Sequence, residues 1–157
     1  MDVKIESVDF KSIIEESIEN LKYMDNASII EIRTDINDKL EFWSDSGRIS
    51  IILQNLLSNS IKYRNANEIK SFVIIQVNIS KNFCEIRFED NGKGIKSEYL
   101  DKIFNMFFRA SADSYGSGLG LYITKQVVEK LNGTVSVAST LGKGSVFNIK
   151  LPNLYKT

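Results

Sequence analysis

Asp45-Ser46-Gly47-Arg48-Ile49-Ser50-Ile51-Ile52-Leu53-Gln54-Asn55-Leu56-Leu57-Ser58-Asn59-Ser60-Ile61-Lys62-Tyr63 reads as one long helix opening on an aspartate cap. Its isoleucines and leucines fall on several sides, and a helix apolar around most of its circumference is a buried one. Asn55, Asn59 and Lys62 interrupt that pattern at i, i+4 and i+7, which sets them in a single stripe. Such a stripe is either a polar edge facing water or a site for magnesium and phosphate. An amide oxygen is a hard ligand, and an ammonium is a point-charge partner for phosphate.

Around this helix the pattern alternates between strand and helix. Asp9 can cap a helix to about Tyr23, with Ile13, Ile14, Ile18 and Leu21 at helical spacing. Residues 28–36 alternate, with Ile30, Ile32 and Ile36 on one face, and 40–43 predict a short second strand. Residues 71–79 and 83–89 predict a hairpin across Lys81-Asn82. A helix from Leu119 to Leu131 stops at Asn132-Gly133, and 135–138 with 146–151 make a last hairpin. The fold expected is α+β: a two-layer sandwich of a mixed, mostly antiparallel five-stranded sheet with about three helices on one face. The whole chain, 1–157, is expected to be one domain.

Strand parity carries the next clue. Cys84, Ile86 and Phe88 share one face of their strand, so Asp90 falls on the same inward side. A carboxylate aimed at a core needs a donor. Asp90-Asn91-Gly92-Lys93-Gly94-Ile95 is therefore either an ordinary Asp- and Gly-rich turn or the wall of a pocket that reads the exocyclic amine of adenine. Gly116-Ser117-Gly118-Leu119-Gly120-Leu121 precedes a helix, where free N–H groups favour anions; it is a phosphate loop or a plain connection, and no Gly-Lys-Ser/Thr makes it a Walker loop. Phe104, Phe107 and Phe108, with Met106, suit core packing, and 110–115 have the composition of a lid.

Composition removes several classes. Twenty acidic side chains balance twenty basic ones, so the electrostatic footprint of a nucleic-acid binder is absent. With no histidine and one cysteine, Cys84, the chain holds neither a Ser-His-Asp or Cys-His nucleophile system nor a His-ligated metal. No apolar run approaches the roughly 18 residues of a membrane span, and the first residues lack a signal-peptide core. The expectation is a soluble, cytoplasmic chain without nucleic-acid or membrane contact.

Taken in order, these segments resemble the boxes of sensor histidine kinase catalytic domains. Asn55 to Tyr63 is similar to the asparagine box, Asp90-x-Gly92-x-Gly94 to the first glycine box, and Phe104 to Arg109 to the phenylalanine box. Gly116 to Leu121 is similar to the second glycine box, and Gly142-Lys143-Gly144-Ser145-x-Phe147, ending at Leu151-Pro152, to the closing segment. The specific part runs over 45–152. The resemblance implies the Bergerat ATP-binding sandwich, shared by gyrase, a heat-shock chaperone, mismatch-repair ATPases and histidine kinases. It implies ATP and Mg2+ as cofactors, Asn59 as the metal ligand, and Asn55 and Lys62 as catalytic groups near the phosphates. Tyr63 would line the cleft, and Asp90 would accept from the adenine amine on a wall shaped by Gly92, Gly94 and Ile95, with Ser145 beside it. Phe104 would dock the lid and Arg109 would touch phosphate. Gly116, Ser117, Gly118, Leu119, Gly120 and Leu121 would flank lid and phosphates.

In the water-using ATPases of this fold, a glutamate typically stands at the position of Asn55. An amide is no base at neutral pH. The resemblance therefore implies transfer of the γ-phosphoryl group to a histidine of a dimerisation domain from the same kinase, and from there to a response regulator. Alternatives are an ATP-gated binding module without turnover and a serine kinase of the anti-sigma type. Two features depart from the pattern. Ser60 replaces the usual alanine, a small change, and the lid is short. Without the histidine-bearing hairpin the chain is expected to be a monomer that cannot phosphorylate itself, cut from a longer kinase or standing alone.

Overall fold

The computed structural model describes residues 2–109 and 118–155. Asp9 caps the first helix, α1 (Phe10–Leu21), its carboxylate accepting from Ser12 N at 3.2 Å. Asp45 caps the second, α2 (Ser46–Lys62), accepting from Arg48 N at 3.0 Å. Burial works against a charge there, yet Lys4 N, Arg48 N and the Arg48 guanidinium together hold the Asp45 carboxyl below its ordinary range. The third helix, α3 (Gly120–Lys130), closes on Leu131-Asn132, with Asn132 in the left-handed region and Gly133 N bonded to Val128 O at 2.9 Å.

Five strands form the main sheet: β2 (Glu31–Asn37), β4 (Phe72–Ile79), β5 (Phe83–Asp90), β6 (Thr134–Thr140) and β7 (Gly144–Pro152). Their spatial order is β2-β4-β5-β7-β6. Only β2 and β4 run parallel, with Glu31 opposite Phe72, and the other pairs are antiparallel. Parity sends Val73, Ile75, Val77, Cys84, Ile86, Phe88, Phe147, Ile149 and Leu151 to the inner face, where all are buried. They share one core with Ile49, Ile52, Leu53, Leu56 and Leu57 of α2. The outer face carries Gln76, Asn78, Glu85, Arg87 and Lys150, including an Asn37–Asn78 hydrogen bond of 3.1 Å between neighbouring strands. One greasy face and one polar face make the two-layer α+β sandwich that the sequence predicts.

Two local expectations need correction. Residues 27–29 form a 3-10 turn, so the strand expected from 28 starts at Glu31. The strand expected over 40–43 is instead β3 (Trp43–Ser44), which leaves the main sheet and pairs antiparallel with β1 (Glu6–Ser7). The physical reason is Phe42, which turns inward to stack on Phe10 with ring centroids 5.6 Å apart. Asn153 then fixes this corner, accepting from Trp43 N at 3.0 Å.

Candidate functional site

The end of α2, the end of β5 and the turns after β5 and β6 enclose a cavity of about 430 Å3, within the size range of small-molecule sites. Asp90 sits on the inner side of β5, where its Oδ1 accepts from Gly92 N at 2.9 Å. Its Oδ2 lies 3.4 Å from the Ser60 hydroxyl of α2. Burial pushes the Asp90 carboxyl above its ordinary range, against these two donors and the Ser145 N–H. A half-buried carboxylate that lines a cavity can accept a further hydrogen bond from a ligand there.

The wall beside it is built by close backbone packing. Lys93 N donates to Tyr63 O at 2.9 Å, and Gly142 N donates to Lys93 O at 2.7 Å, which ties α2, the β5 turn and the β6–β7 turn together. Gly94 has φ +71°, and a Cβ there would stand 2.1 Å from Thr140 O. Ile95 N donates to Ser139 Oγ at 2.8 Å, and Ser139 Oγ lies 2.8 Å from Ser145 Oγ, so the buried Ser145 is part of the same network. Tyr99, Ile103, Phe108 and Phe147 supply apolar walls, Tyr99 and Phe108 meeting at 5.6 Å between centroids.

Lys62, Lys93, Lys96 and Arg109 line the same cavity, against Asp90 as its carboxylate. A chain of zero formal net charge thus gathers positive charge around one opening, which suits a polyanion. Asn59 lines the cavity too. Asn55, one turn earlier, bridges to α3 instead: its Nδ2 donates to Gly120 O at 3.3 Å. Gly120 opens α3, and its N-cap Leu119 makes no side-chain capping bond; the first-turn N–H groups of a helix favour an anion. Gly118, at φ +75°, packs so closely that a Cβ would come within 2.7 Å of the Phe107 backbone; Phe107 N donates to Gly118 O at 3.0 Å.

The sequence-derived candidates therefore divide. Asn59, Lys62, Tyr63, Asp90, Gly94, Ile95, Arg109, Leu121 and Ser145 line the cavity. Asn55, Gly92, Gly118, Leu119 and Gly120 are not among the lining residues, though Gly92 donates to Asp90 and Gly120 accepts from Asn55. Phe104 is not among the lining residues. It packs edge-on to Phe147, 6.3 Å between centroids, under Lys125 at 5.8 Å. Gly116 and Ser117, and the stretch 110–115 expected as a lid, lie outside the described residues. The sequence reading missed Leu56, Ser60, Lys93, Lys96, Tyr99, Ile103, Phe108, Leu141 and Phe147 as lining residues. Of these, Leu56, Ser60, Lys93, Phe108 and Phe147 lie inside the quoted motif segments, and the others carried no local signal.

A helix-backed mixed sheet with an inward aspartate at a strand end and a basic cavity mouth is an ATP-binding sandwich. The chain belongs to the histidine kinase-, DNA gyrase B-, and HSP90-like ATPase family, whose model matches residues 44–154. Among its relatives within that family are sensor histidine kinases. It is 34% identical over 151 residues to the sensor histidine kinase ZraS of Escherichia coli K12, covering 94% of this chain and 31% of ZraS. It is 33% identical to the sensor protein SrrB of Staphylococcus aureus, over 84% of this chain and 23% of SrrB. The chain thus spans a third or less of these relatives. The mycobacterial sensor histidine kinase MprB superposes with a TM-score of 0.78 at 26% identity, covering 96% of this chain and 97% of that one. Full-length ShkA in complex with AMPPNP matches the fold at a TM-score of 0.83 and 22% identity, over all of this chain and 33% of ShkA. The expected kinship with histidine kinase catalytic domains is borne out. Among the described residues no helix is long and apolar enough to cross a membrane.

Proposed function

We propose that this chain, acting as one domain, binds ATP with magnesium in the cavity between α2 and the end of β5. It then passes the γ-phosphoryl group to a histidine on a separate dimerisation domain. The observation that carries this reading is Asp90: a half-buried carboxylate facing a cavity that amide and basic side chains also line. Asp90 accepts from the adenine amine, between the apolar walls of Tyr99, Ile103 and Phe147. Tyr63, Gly94, Ile95 and Leu121 line the cleft, and Lys62 and Arg109 face the phosphates with the open N-terminus of α3.

Asn59 is the ligand offered to magnesium. Among the described residues no group of three or more His, Cys, Asp or Glu side chains is placed to hold a metal. The donors fit an ion that arrives with the nucleotide, since magnesium keeps waters and phosphate oxygens as most of its ligands. Bound there, it would neutralise charge on the phosphates. Asn55, bonded to Gly120 O, carries no basic group, so nothing at its position activates water.

Transfer needs position and charge neutralisation above all. A neutral imidazole nitrogen of the partner domain forms the new N–P bond while the bond from the γ-phosphorus to its bridging oxygen breaks, and ADP leaves. The imidazole lone pair makes the bond, so no proton need be removed first. The phosphate then passes to a response regulator, in a cytoplasmic setting. The test is transfer from γ-labelled ATP to a histidine-bearing dimerisation domain supplied separately. Acid-labile, alkali-stable label on that domain is expected. ATP binding with no transfer would leave a nucleotide-gated module, and acid-stable label would mean a serine kinase.

A further inference from the structure

Ser60 lies near the end of α2, is only 6% exposed, and lines the cavity. Its hydroxyl reaches Leu56 O, one turn back, at 3.1 Å, a contact common to helical serines. The same oxygen stands 3.4 Å from Asp90 Oδ2. A hydroxyl owns one proton, and both neighbours are acceptors, so it serves one at a time. Leu56 O has a helical N–H to fall back on. Asp90 Oδ1 is held by Gly92 N at 2.9 Å. The Ser145 backbone N–H is a further donor to this carboxyl, and Ser60 supplies the donor from α2, at Oδ2. Burial pushes Asp90 toward its protonated form, with a smaller push from neighbouring Glu89, and the Ser60 hydroxyl is among the groups that oppose it.

We propose that Ser60 is a positioning residue for base recognition: its hydroxyl, turned from Leu56 O to Asp90 Oδ2, fixes the carboxylate so that a lone pair faces the exocyclic amine of adenine. This rests on the ATP reading above. A serine that merely bonds its own helix would affect α2, and every nucleotide alike. A serine that aims Asp90 affects only nucleotides carrying the amine.

The experiment compares binding of ATP and of purine riboside triphosphate, which lacks the 6-amino group. The parent chain is expected to prefer ATP about tenfold. Ser60→Ala should weaken ATP about five- to tenfold and change the analogue by less than about twofold. Ser60→Thr, which keeps the hydroxyl, should restore the preference. Equal losses for both nucleotides in Ser60→Ala, or none for either, would overturn the positioning role. A parent chain that binds the two equally would sink the base-reading role of Asp90 itself, a separate failure visible before any variant is made.

Discussion

Asp90 concentrates the cost and the use of this site in one side chain. Its carboxyl is raised by burial, so the folded chain holds that proton to higher pH than the unfolded chain. Stability from this group is therefore full below the ordinary carboxylate range and falls as pH rises through the raised value. Asp90→Asn removes the charge while its amide oxygen still accepts from Gly92 N and its amide nitrogen donates to Ser60. The variant should melt higher than the parent at pH 7 without nucleotide, with the gap closing near pH 4, and should bind ATP more weakly by about 1–3 kcal/mol. Thermal unfolding at the two pH values checks the first point; an equal or lower melting point at neutral pH would contradict it. The inward aim of Asp90 was legible, because parity from Cys84, Ile86 and Phe88 fixes it. The contact with Ser60 was not, because it joins α2 to β5 across thirty positions, and a serine for an alanine reads as a change of size alone.

Helix α2 is the element that brings the site together, and its start is fixed far from the cavity. The Asp45 carboxylate receives Lys4 N at 3.0 Å and Arg48 N at 3.0 Å, and pairs with the Arg48 guanidinium. Asp45→Ala should cost about 1–2 kcal/mol in urea unfolding. Because the Asp45 carboxyl is held low, that contribution is present above the ordinary carboxylate range and is lost as pH falls through the depressed value, so parent and variant should converge in acid. On the opposite wall, Gly94→Ala would drive a Cβ to 2.1 Å from Thr140 O at a positive φ. Backbone cannot yield cheaply there, so the variant should be less stable by several kcal/mol, of the order expected for severe overpacking, and lose ATP binding; an unchanged melting point would refute this packing argument. Helices with caps and strands with clean alternation were readable in sequence for these local reasons. The pair β1–β3 was not, since two residues carry no period and their partner lies more than thirty positions away. The 3-10 turn at 27–29 hid in the same way, because Ile29 and Ile30 continue the apolar texture of the strand that follows.

At the scale of the molecule, a sheet polar on one side and apolar on the other leaves its helices a single layer to cover, and the cavity opens where α2 and the strand-end turns meet. The mixed, mostly antiparallel sheet followed from the hairpin signals at 81–82 and 141–144; the parallel β2–β4 pair, with its register, depends on packing that no local pattern encodes. The apolar wall of Tyr99, Ile103 and Phe108 was obscure for the same reason: read locally, these residues are ordinary core. Charge is likewise organised globally, with zero net charge on the chain and basic side chains gathered at the cavity mouth. If Asn59 is the magnesium ligand, Asn59→Ala should bind ATP with the same affinity whether or not magnesium is present, and a surviving magnesium effect would assign that role elsewhere. The most direct measurement is a calorimetric titration of the chain with ATP and with GTP, with and without magnesium, beside Asp90→Asn. Saturable, magnesium-strengthened binding that prefers ATP in the parent and is weakened in the variant is the expected result. Equal binding of ATP and GTP, or ATP binding untouched by Asp90→Asn, would contradict an adenine pocket built on Asp90.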